Sequence, residues 1–75
     1  MTKQERAAIR ALAQAYCRIK QCRLCVDPYI LVHEAKQTRN SANYDRADRF
    51  LRDLAACGEL APIGYGALRP EWKFA

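Results

Sequence analysis

Apolar residues return through the first part of the chain in three- and four-residue steps: Ile9, Leu12, Tyr16 and Ile19, with Ala8 and Ala15 beside them. At the pitch of an α-helix these positions form one stripe, and Lys3, Arg6, Arg10, Gln14 and Gln21 fall on the far side. Ahead of the stripe, Thr2-Lys3-Gln4-Glu5 is a capping box: the threonine hydroxyl accepts from the Glu5 amide while the Glu5 carboxylate reaches back. The pattern predicts a helix over about residues 3–21. Asp27-Pro28 marks a second start, an N-cap followed by a proline whose missing N–H costs nothing in a first turn. The segment Tyr29 to Lys36 is apolar on several faces, which suits a buried helix or a strand; the Asp-Pro start favours a helix over about 28–36.

Gln37 to Asn43 is polar, with Asn40, Ser41 and Asn43 as turn and cap formers. A third stripe follows through Ala47, Phe50, Leu51, Leu54 and Cys57, opposite Asp45, Asp48, Arg49, Arg52 and Asp53. It predicts a helix over about 44–57, ended by Gly58 as a left-handed cap, with Cys57 on the core side. The period then changes to two. Leu68, Pro70, Trp72 and Phe74 alternate with Arg69, Glu71 and Lys73, while Leu60-Ala61-Pro62-Ile63 offers a partner strand and Gly64-Tyr65-Gly66 a turn. The expected fold is mainly α with a C-terminal β-hairpin over about 60–74, in a single domain spanning 1–75. A domain of this size buries only ~60% of its unfolded surface, so the core needs its large side chains, Tyr16, Trp72 and Phe74 among them.

Charge changes the picture from a generic helical domain to one suited to an anionic partner. The net charge is +5. Its excess is local: residues 1–25 hold Lys3, Arg6, Arg10, Arg18, Lys20 and Arg23 against Glu5 alone, and from Val26 onward the two signs cancel. A concentrated positive field suits DNA or an acidic protein surface. No apolar run approaches the ~18 residues of a membrane span. Nor does a secretory apolar stretch follow the N-terminal residues, so the expected location is cytoplasmic, without a membrane partner.

The order of helix, helix and amphipathic helix leading through Phe50-Leu51-Arg52-Asp53-Leu54-Ala55-Ala56-Cys57-Gly58-Glu59-Leu60 into a hairpin ending at Phe74 resembles the winged helix-turn-helix superfamily. The resemblance lies in the pattern over roughly residues 28–74 and implies a three-helix winged-helix-like domain. It also implies that the third helix enters the major groove, so that Arg46, Arg49 and Arg52 face DNA, while Tyr65, Arg69 and Lys73 contact the flanking backbone from the wing. Two features depart from the pattern. The connection before the third helix is long for a tight helix-turn-helix. That helix is also electrically neutral, with Asp45–Arg49, Asp48–Arg52 and Arg49–Asp53 at i,i+4 spacing. Lys3, Arg6 and Arg10, along one side of the first helix, are the better electrostatic candidate, for a phosphate backbone or an acidic protein surface.

The four cysteines do not change this reading. Reduced cytosolic thiols argue against disulfides. Cys17-x4-Cys22-x2-Cys25 has the spacing of a plant-type [2Fe–2S] loop, but the bulky, glycine-free residues between the cysteines, and the helix predicted there, oppose cluster wrapping. A zinc set of Cys22, Cys25 and Cys57 with Cys17 or His33 lacks the knuckle glycine and is less favoured than independent thiols, so no metal or cofactor is expected. Catalytic motifs are missing too. The lone His33 beside Glu34 sits on a short apolar segment, where a structural role is the commoner one. The expected function is a small DNA-binding regulator of the kind phages or mobile elements carry, in which a homodimer is one possible state. The alternative is a small phage-type inhibitor that binds a host protein, as anti-CRISPR proteins do.

Overall fold

In the computed structural model residues 2–65 and 69–75 are described, Tyr65 by its backbone only. Among them the order is α1 (Lys3–Cys22), β1 (Cys25–Val26), α2 (Pro28–Glu34), α3 (Ser41–Ala56), β2 (Leu60–Tyr65) and β3 (Pro70–Phe74). The strands form one antiparallel sheet in the order β1-β3-β2. This is a mainly helical, winged-helix-like layout.

Each helix begins where a side-chain cap replaces a missing backbone acceptor. The Thr2 hydroxyl accepts from the Glu5 amide at 3.1 Å, Asp27 Oδ1 from Ile30 at 2.8 Å, and Asn40 Oδ1 from Asn43 at 2.9 Å. Asn40 rather than Asn43 caps α3, so that helix starts earlier than its apolar stripe implies; the Asn43 side chain is instead engaged with the Thr38 carbonyl at 2.7 Å and with Arg46. α2 ends at Glu34, short of the expected boundary. Lys36 there takes a left-handed conformation (φ 59°) and the Gln37 amide returns to the Val32 carbonyl at 3.1 Å, closing the helix as a Schellman turn without glycine. Gly58 (φ 84°) ends α3 as expected.

The core collects one side of every element. Leu12, Ala15, Tyr16 and Ile19 of α1 meet Leu31 and Val32 of α2, Ala47 and Leu51 of α3, and Val26 and Leu60 of the sheet. Trp72 and Phe74 pack against this cluster from β3, half-buried, so the sheet is seated on the helices through its central strand. Phe50 stands edge-on to Tyr16 and Phe74 is tilted against it, with ring centroids 6.0 and 5.7 Å away.

The hairpin differs from its expected form in two ways. Gly64 and Tyr65 belong to β2 instead of the turn, and a bulge between Pro62 and Gly64 shifts the register there. Pro62 is tolerated because β2 is an edge strand, where a missing N–H breaks no ladder. The turn itself, with Gly66 and Leu68, lies outside the described residues. β1, unforeseen in the sequence, pairs Val26 with Trp72 and Cys25 with Lys73.

Candidate nucleic-acid interface

The outward stripe of α1 is built by its own periodicity. With Leu12, Ala15, Tyr16 and Ile19 buried, Lys3, Arg6, Arg10, Gln14, Cys17 and Gln21 are all exposed on the opposite side. Among the described residues, no carboxylate lies within ion-pair distance of Lys3, Arg6 or Arg10. Glu5 sits on a different side, where it lines a groove against α3. Farther along, compensation appears. Arg18 Nε is 3.8 Å from Glu34 and its Nη2 donates to the Glu34 carbonyl at 2.9 Å, while Lys20 lies 3.6 Å from Glu59. Arg23 is exposed next to Leu24, which is 91% exposed.

α3 presents a different surface. Asp45, Arg49, Arg52 and Asp53 are exposed on its outward arc and Asp48 stands at the edge. One of the three i,i+4 pairs forms, Arg52 Nε to Asp48 Oδ2 at 3.0 Å. It has the favourable order, acid before base along the helix, which complements the helix dipole; Arg49–Asp53 has the reverse order and does not close. Asp45 turns away from Arg49 to Arg69 at 2.8 Å. Arg46 is half-buried and donates to Asn43 Oδ1 at 2.7 Å. The arc thus carries three carboxylates against two guanidinium groups.

From the wing, Arg69 comes down onto α3. Burial opposes its charge, but the hydrogen bond to Asp45, with Tyr29 also in reach, more than offsets that and raises its pKa above the usual arginine value. Lys73 is exposed on the face of β3 opposite Trp72. The Tyr65 side chain lies outside the described residues. The structure therefore gathers Arg46, Arg49, Arg52 and Arg69 at α3 and sets Lys3, Arg6 and Arg10 apart as a separate stripe.

The chain matches no family model, no curated protein and no solved structure. What this surface can hold follows from its residues alone. Two cations overlooked in the sequence, Lys36 and Arg39, are exposed in the connection between α2 and α3, and Arg39 Nη2 donates to His33 Nδ1 at 2.9 Å. Arg39 lies in the polar stretch Gln37 to Asn43, whose composition points to a turn, and Lys36 closes the segment expected as the second helix.

All four thiols are free: Cys17, Cys22 and Cys57 are exposed and Cys25 is half-buried. Cys57 is exposed and not on the core side as expected, because it follows the last residue of α3 and helical periodicity puts it at the edge of the arc that buries Ala47 and Leu51. Among the described residues no three His, Cys, Asp or Glu side chains converge as a metal site would require, and no helix is long and apolar enough to cross a membrane.

Proposed function

We propose that this protein binds nucleic acid as a winged-helix-like module, and that the outer stripe of α1, rather than α3, supplies its grip on the phosphate backbone. The observation that carries this reading is the absence of ion-pair partners for Lys3, Arg6 and Arg10 among the described residues, while at α3 Arg52 and Arg69 are held by carboxylates and Arg46 is hydrogen-bonded to Asn43. An uncompensated cation releases a condensed counterion on meeting a phosphate, whereas a paired one must first lose its carboxylate. An arc with three aspartates also repels the backbone on either side of a major groove. Lys36 and Arg39, exposed beside the start of α3, add a smaller contact.

The role is binding without catalysis: His33 is exposed and accepts from Arg39. A regulatory task, through occupancy of DNA, suits such a module. Fold resemblance alone does not assign this role; the charge distribution supports it.

A second reading has its own support. The groove between α1 and α3, about 430 Å³, has Ile9, Ala42 and Phe50 among rims of both charges, a composition closer to a protein–protein contact than to a phosphate track. Titrating a labelled duplex at ~50 and ~200 mM salt separates the readings, because backbone binding through several cations weakens steeply over that range. Affinity that ignores salt, together with a protein partner retained after nuclease treatment, contradicts nucleic-acid binding.

A further inference from the structure

We infer that the side of α3 facing the α1 groove is the docking surface for a second copy of this chain, antiparallel to the first. Arg49 and Asp53 both line the groove, both are exposed, and among the described residues neither has an ion-pair partner. Each has the neighbour it needs one helical turn away, but in the order that α-helices disfavour. The unspent pair is therefore complementary to itself. In an antiparallel arrangement about a two-fold axis at the level of Leu51, Arg49 of one copy lies opposite Asp53 of the other, and the symmetry makes the same contact twice. A parallel, in-register arrangement sets Arg49 against Arg49 and is disfavoured by repulsion.

The surroundings fit the same occupant. Ala42 and Ala56 are exposed and small, so two α3 helices can approach closely, and the half-buried Ile9 and Phe50 offer apolar surface beside the charges. Asp45 and Asp48 are already held by Arg69 and Arg52, which leaves Arg49 and Asp53 as the charges free to act between copies. The outer stripe of α1 lies away from this groove, so pairing leaves two basic stripes open. The dimer does not depend on what those stripes bind.

Sedimentation equilibrium over a concentration series tests the surface with Arg49→Asp, Asp53→Arg and the doubly exchanged variant. The wild type is expected to associate to a dimer, and association to weaken with salt. Each single reversal turns two attractions into two repulsions and is expected to raise the dimer dissociation constant at least ~10-fold, while the double exchange restores it. Circular dichroism reports whether the variants stay folded, which exposed positions predict. A wild type that stays monomeric into the millimolar range overturns the proposal and leaves the groove to another partner. So does a dimer that the single reversals leave intact, or a double exchange that fails to restore association in folded protein.

Discussion

Asp45 Oδ1 and Arg69 Nη1 lie 2.8 Å apart, joining the exposed arc of α3 to the first turn-out of the wing. The pair spends one aspartate and one arginine on architecture, and so removes both from any dialogue with a ligand. Asp45 is 68% exposed while Arg69 is 22% exposed, so solvent screens one partner and the coupling stays modest. A double-mutant cycle of Asp45→Ala and Arg69→Ala, read by chemical denaturation, should give a coupling of ~0.5–1 kcal/mol. Arg69→Ala alone should cost more than Asp45→Ala, since it also strips packing from the wing.

Alkaline pH should find a specific weak point at Tyr16. Its ring is buried, and burial together with the charge of Glu59, which accepts from the hydroxyl at 3.4 Å, pushes its pKa up to about 12 from 10.0. A raised folded-state pKa means that the folded protein holds its proton longer than the unfolded chain. The associated stability is complete below pH ~10 and is lost as pH climbs through ~12. Ultraviolet titration of tyrosinate should show one tyrosine ionising last, together with loss of structure, and Tyr16→Phe should remove this part of the alkaline transition.

Lys36 holds a left-handed conformation (φ 59°) that costs an L-residue energy and costs glycine almost nothing. Lys36→Gly should therefore stabilise the fold by ~0.5–1 kcal/mol, visible as a higher denaturation midpoint. A drop in stability would mean that the lysine side chain contributes something beyond its backbone.

How far these features were visible in the sequence varies with the range of the forces behind them. Helix starts were legible because caps are local chemistry: Thr2 and Asp27 act as their spacing implies. The start of α3 was not, since Asn40 and Asn43 compete as caps and the choice rests on where the Asn43 side chain goes. β1 has two residues and no period; it exists because Val26 finds Trp72 across the sheet. The basic stripe of α1 could be read directly, because helical periodicity places its cations and nothing nearby cancels them. The fate of the α3 charges could not. Their neutrality was plain, yet the partner of Asp45 arrives from the wing, and the failure of Arg49 to pair with Asp53 is a matter of orientation.

Removing charge from each surface in turn reaches furthest into this account. Duplex affinity should be measured by fluorescence anisotropy across a salt series for the wild type, for Lys3→Gln/Arg6→Gln/Arg10→Gln, and for Arg46→Gln/Arg52→Gln. The α1 variant should bind at least ~10-fold more weakly and lose ~1 from the salt slope per cation removed, while the α3 variant stays close to wild type. A full salt slope in the α1 variant, with binding lost in the α3 variant, would contradict the central claim and return the contact to the third helix.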